Sequence, residues 1–113
     1  MTRDEIASAP ASREMDVNIG YHVMGLVCPP EMYPNYSTNI SDAWQVVEKM
    51  MRDGFIWKSN GNESCGNFIY SFSFAKDDDG YEEYFKAYDS GITEKNLSLA
   101  ICRAALLAQE YKK

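Results

Sequence analysis

The chain has 113 residues, 45% of them hydrophobic, and 17 acidic against 11 basic side chains give a formal net charge of −6. That length suits one domain over residues 1–113 with a core that needs no metal or disulfide, and the clear apolar patterning excludes a disordered chain. The acidic balance, with no arginine-rich run, excludes a long nucleic acid as partner, so an anion can be held only where basic groups gather locally. Three cysteines, Cys28, Cys65 and Cys102, stand without CxxC spacing and read as reduced thiols. The polar N-terminus and the lack of any run near the roughly 20 apolar residues of a membrane span predict an intracellular protein away from the membrane.

From the N-terminus, a helical turn is expected near Arg3 to Ala7, broken by Pro10. Ser12 is placed to cap a second helix, with Glu14 in its first turn, an apolar face of Met15, Ile19, Tyr21 to Val23 and Leu26, and Gly25 near its end. His22, the single histidine, has no Cys/His cluster around it and reads as a structural or surface residue, so no metal is expected. Cys28 to Asn35 is a proline-rich loop whose rings should forbid helix and favour an extended path. Ser41 is the expected N-cap of a third helix reaching about Asp53, with Gly54 as its stop. Ala43, Trp44, Val46, Val47, Met50 and Met51 give it a wide apolar side, and Gln45, Glu48, Lys49 and Arg52 face water. Trp44 and the methionines can serve as core or as a ligand platform.

The middle of the chain reads as β. Phe55 to Lys58 is a short strand, Ser59 to Gly66 a turn-rich link containing Asn-Gly, and Asn67 to Lys76 alternates, with Phe68, Tyr70, Phe72 and Phe74 on one face. Asp77-Asp78-Asp79-Gly80 turns the chain without completing a calcium loop, because Lys86 stands where the closing glutamate belongs. Tyr84, Lys86 and Tyr88 opposite Phe85 and Ala87 favour a third strand, ended by Ser90-Gly91. The run Leu97 to Ala108 is the strongest helix former, with Thr93 as cap, Glu94 at its positive end and Lys112 and Lys113 at the other. Leu97, Ile101, Ala104, Ala108 and Tyr111 share one face while Leu99, Cys102 and Leu106 lie round the other, so the helix should be buried on two sides. Its alanines keep it thin enough for a sheet or a second copy of the chain to approach. Arg103 then lies in or beside packed surface and needs either a carboxylate or a phosphate.

These elements make a compact α+β sandwich: a small antiparallel sheet of about three to five strands packed with helices, the longest at the C-terminus. No nucleophile elbow, glycine-rich phosphate loop, paired carboxylates or metal spacing is present, so neither an enzyme nor a cofactor is expected. Eight tyrosines, five phenylalanines and two tryptophans beside one buried arginine fit a nucleotide-sized pocket or an ordinary core and interface.

Tyr36-Ser37-Thr38-Asn39-Ile40, Ala43-Trp44-Gln45-Val46-Val47-Glu48-Lys49-Met50 and Ala100-Ile101-Cys102-Arg103-Ala104-Ala105-Leu106-Leu107-Ala108 resemble signatures of the phage ABA sandwich domain family, and Ser12 to Gly25 is similar to its opening helix. The likeness covers nearly the whole chain. It departs at Asn39, where an aspartate is expected, and at Asn96-Leu97-Ser98-Leu99, where Thr-Ala-Pro-Leu is more usual. Part of that family overlaps the first-described type of Thoeris anti-defence protein. The resemblance implies a phage-encoded sponge in the host bacterial cytoplasm that binds a cyclic ADP-ribose isomer, and in some members cyclic oligonucleotides, without cleaving it. It further implies a homo-oligomer, a dimer or an assembly of dimers, with the ligand at a junction between protomers. Of the implied ligand-binding residues, Arg103 carries over through a matching motif. Tyr36 and Thr38 follow from the Tyr-Ser-Thr motif, and Phe74, Tyr84, Lys86 and Tyr88 from their places on the last strands. The reading of a different class is a structural or protein-interaction module in which Arg103 forms a buried salt bridge.

Overall fold

The computed structural model describes the backbone of residues 3–64, 67–78, 81–90 and 94–112, and the side chains over 5–58 (Ala7 excepted), 72–75 and 97–109. Two short helices, α1 (Arg3–Ser8) and α2 (Arg13–Asn18), precede a π-helical turn at Ile19–Val23. After them come a 3₁₀ turn (Pro30–Met32), helix α3 (Ile40–Arg52), strands β1 (Ile56–Ser64), β2 (Asn67–Asp78) and β3 (Tyr81–Ser90), and the long helix α4 (Glu94–Lys112). The fold is α+β. Its antiparallel sheet has the order β1-β2-β3.

Ser12 caps α2 as its sequence predicts, its Oγ accepting from the Met15 N–H at 3.1 Å. The wider π winding, marked by the Met24 N–H donating to the Ile19 carbonyl at 3.0 Å, keeps Met15, Ile19 and Val23 on the buried side. Tyr21 and Leu26, expected on the apolar face, are instead 55% and 42% exposed: Tyr21 stands about 200° round a helix from the buried Ile19, and Leu26 follows the end of the winding and the positive-φ Gly25. The proline loop does hold a helical turn, contrary to expectation. Pro30 stands at its first position, where a missing N–H costs nothing.

Helix α3 starts two residues earlier than a Ser41 cap would place it. Asn39 is the cap instead of Ser41, its Oδ1 accepting from the Asp42 N–H at 3.1 Å. A turn over residues 35–39, closed by the Asn39 N–H on the Asn35 carbonyl at 2.9 Å, has already brought the chain into line for helix at Ile40. Ala43, Val46, Val47 and Met50 are buried; Trp44 and Met51 flank them at 37% and 44% exposure.

The expected link Ser59 to Gly66 is strand through to Ser64, which pairs with Asn67. Continuous pairing with the long β2 overrides the local turn preference of Asn60-Gly61. Cys65 and Gly66, the Asp79-Gly80 part of the acidic turn, Gly91 and the Thr93 cap lie outside the described residues.

Helix α4 packs on β2 and β3 with one side and on α3, α1 and the π turn with the other, which explains why it is apolar nearly all round. From Ser98 to Ala108 every residue is buried except Arg103. Phe72 and Phe74 bring the sheet into this core, Phe74 meeting Phe55 edge-on at 6.4 Å and Phe72 stacking on Trp57 at 5.5 Å. Each such buried ring stabilises the fold by about 1.5–3 kcal/mol in area terms. Among the described residues no helix is long and apolar enough to cross a membrane.

Candidate functional site

Arg103 leaves the buried helix on the side of the N-terminal segment, and its Nε donates to the Ala9 carbonyl at 2.9 Å, across 94 residues of chain. Helix α1 ends at Ser8, and a carbonyl just past a helix end has no intrahelical donor, so the guanidinium completes it. The bond also fixes the guanidinium plane. Beside Ala9 lies a cleft of about 280 Å³ lined by Glu5, Ser8, Pro10, Ser12, Glu14 and Asn18 among others. Its described lining holds two carboxylates and no aromatic ring, a wall suited to polar or cationic groups and not to phosphate.

The Tyr-Ser-Thr motif occupies the turn before α3. Tyr36 is fully buried, and its hydroxyl has no hydrogen-bond partner among the described residues. Burial first, and then the charge of Asp42, push its phenol from the ordinary 10.0 up to about 12. Thr38 is half-buried, its N–H donating to the Asn35 carbonyl at 3.2 Å. The motif residue with the closest polar contacts is Ser37, absent from the expected site. Its N–H and its hydroxyl both donate to Asp16 Oδ1, each at 2.8 Å, and its Oγ accepts from the Ser12 N–H at 3.2 Å.

Asp16 is 3% exposed, and Arg13 stands 3.7 Å from its other oxygen. Arg13 also donates to the Tyr33 carbonyl and, at 2.6 Å, to Asn35 Oδ1. The signal in the sequence was an acid on the apolar side of α2, between Met15 and Ile19.

The strand residues divide between two faces. Phe74 pairs with Trp57 and Phe85, and is fully buried on the helix side. Tyr84, Lys86 and Tyr88 pair with Ala75, Ser73 and Ser71, which are the alternate positions of β2. Directly paired residues share a face and successive residues alternate, so these three stand on the face away from the helices. The expected seven-residue set therefore falls into three groups within one chain: Arg103 on the N-terminal side, Tyr36, Thr38 and Phe74 in or beside the core, and Tyr84, Lys86 and Tyr88 across the sheet. Strand spacing alone could not reveal this, because it depends on the register of β3 against β2.

Cys102 is fully buried, and burial, aided by the charge of Asp16, holds its thiol well above its ordinary value while Arg103 pulls it down. A thiol kept neutral in this way is a poor nucleophile. His22 is exposed and, among the described residues, meets the edge of Tyr21 at 5.0 Å. Among the described residues no cluster of three His, Cys, Asp or Glu side chains could hold a metal ion.

The sequence pattern of the family described as the phage ABA sandwich domain matches residues 22–106. No curated protein and no solved structure matches the chain.

Proposed function

From the premise that this chain belongs to the phage ABA sandwich domain family, we propose that it is a non-enzymatic sponge that sequesters a cyclic nucleotide made by bacterial immune enzymes. The ligand in this reading is a cyclic ADP-ribose isomer, with cyclic oligonucleotides as further cargo, captured in the host cytoplasm and released intact. The observation that carries it is the exit of Arg103 from an otherwise buried helix with its guanidinium plane held by the Ala9 carbonyl. An arginine oriented in advance through Nε suits phosphate, since less freedom is lost on binding. Arg103 and the Tyr84, Lys86 and Tyr88 positions stand on opposite sides of α4 and the sheet. A small ligand that touches both is thus held between two copies, which accords with a homo-oligomer.

Thermal-shift titration of the whole protein with cyclic ADP-ribose isomers and cyclic di- and trinucleotides tests the proposal. A ligand at about 100 times its dissociation constant adds roughly 2.7 kcal/mol to stability. A shift, lost in Arg103→Lys, with the ligand recovered intact after heating, is expected. Recovery of a cleaved product would replace the sponge with an enzyme. No shift across the panel would favour the interaction module, a reading that draws its own support from the ring-free, carboxylate-bearing cleft beside Ala9.

A further inference from the structure

The sheet order β1-β2-β3 pairs the nine residues of β1 with β2 on one side and, among the described residues, leaves no strand on the other. That open side is a row of backbone N–H and C=O groups about 30 Å long. It lacks the features that usually blunt an edge: Ile56–Ser64 contains no proline, its register against β2 runs without a bulge, and it is not short. Such an edge calls for an extended backbone, because a strand is what meets alternating donors and acceptors along its whole length.

Apolar side chains flank the same edge on both faces. Trp57 is 38% exposed on the helix side of β1, and Ile56 is 53% exposed on the opposite face. Trp44 of α3, 37% exposed, meets Trp57 edge-on at 5.1 Å, and Met51, 44% exposed, follows two turns along the same side of α3. Together these four leave on the order of 400 Å² uncovered, a patch of the size that marks an interaction site on a monomer. With the backbone edge beside it, the surface comes close to the roughly 800 Å² per partner of a stable interface.

We infer that this edge is an interface between two copies of the chain, β1 pairing antiparallel with β1 of the second copy about a twofold axis near Asn60. Centred there, all nine residues find a partner, and the sheet continues across both copies. Charge selects this occupant and this edge. β1 has one base and one acid, Lys58 and Glu63, toward opposite ends, so antiparallel self-pairing lays the basic end of one strand beside the acidic end of the other. The other edge strand, β3, has Glu82, Glu83 and Asp89 against Lys86, and self-pairing there would bring acid to acid in a chain already at −6. The interface goes beyond the nucleotide reading and does not depend on it.

The test is sedimentation velocity and light scattering of the intact protein over a dilution series, with hydrogen exchange at each end of the series. A mass of two copies, or an even multiple of one, is expected at high concentration. Ile56→Lys and Met51→Lys lie at exposed positions, so each should leave the fold intact by circular dichroism while weakening association about tenfold or more. The amides of residues 56–64 should exchange more slowly in the wild type than in either variant at the same concentration. Trp44 and Trp57 are the two tryptophans of the chain, so quenching by acrylamide reads this patch alone and should be weaker in the wild type than in Ile56→Lys. A wild-type protein that stays a single copy throughout would overturn the interface, as would an oligomer that both variants leave intact. Mass that grows without limit would also overturn it, since a twofold contact closes on itself. Tryptophan emission that answers to added cyclic ADP-ribose with no change of mass would make Trp44 and Trp57 a stacking platform instead. A single-copy protein that binds nucleotide would end this inference and leave the sponge reading in place, and a closed dimer that binds none would do the reverse.

Discussion

Ser37 gives both its backbone N–H and its hydroxyl to one carboxylate oxygen of Asp16, each at 2.8 Å, and so ties the turn before α3 to the flank of α2. Both residues are buried. Removing one partner from a buried, charge-assisted contact costs about 1.5–3 kcal/mol, because the other is left without its bonds. Asp16→Ala and Ser37→Ala should each lower the urea unfolding free energy by that order. The double variant should cost less than the sum, since either substitution deletes the hydroxyl bond, while the backbone N–H bond is lost only with Asp16. Additive losses would mean that the two side chains act independently.

Gly20 faces the ring of Tyr33: a Cβ added there would stand 2.1 Å from Tyr33 Cδ1. That ring is held from its other end, its hydroxyl donating to the Leu26 carbonyl at 2.9 Å and accepting from the Cys28 N–H at 3.4 Å. The ring cannot simply swing aside. Gly20→Ala should therefore destabilise the protein by about 2 kcal/mol or more, at the upper part of the range for overpacking, and Tyr33→Leu in the same chain should restore part of the loss. A Gly20→Ala protein with unchanged melting would show that the loop beneath Tyr33 yields freely.

The elements themselves were legible from local chemistry. Ser12 reads as a cap because its side chain accepts from its own helix, and α4 reads as doubly buried because its apolar residues run all round it. Errors arose where a distant partner decided the outcome. Asn60-Gly61 is a turn signal until β2 pairs through it, and Tyr84, Lys86 and Tyr88 fall on the face opposite Phe74 only once β3 takes its register. The site was harder to read than the fold for the same reason. Arg103 stands out as a lone charge among apolar residues, whereas its contact with Ala9 spans 94 residues and follows from how α1 docks on α4.

Cys102 and Cys28 should differ sharply toward thiol reagents. Cys102 is fully buried with its thiol pushed well above the ordinary value, whereas Cys28 is half-buried in the proline loop. Thiolate is the reacting species, so both burial and the raised value protect Cys102. In a Cys65→Ser background, a disulfide reagent added to native protein should label Cys28 and leave Cys102 unmodified until the chain unfolds. Labelling of Cys102 at a rate independent of denaturant would mean that α4 leaves the core locally.

The buried Tyr36 hydroxyl should make stability depend on alkaline pH. Burial and Asp42 raise the phenol from 10.0 to about 12 in the folded chain, so the unfolded chain gives up this proton first as pH rises. Its contribution is then complete below about pH 10 and is lost between about pH 10 and pH 12, with a ceiling near 2.7 kcal/mol for two pH units. Tyr36→Phe has no such proton, and it removes a hydroxyl that has no partner among the described residues. Near neutral pH the variant should therefore equal or slightly exceed the wild type in stability, since a buried hydroxyl without a hydrogen bond is itself unfavourable. The difference in unfolding free energy should widen in favour of Tyr36→Phe as pH goes from about 9 to about 11.5, which isolates this residue from the other tyrosines common to both chains. A difference that stays flat over that range would show that the phenol ionises at its ordinary value in the folded protein.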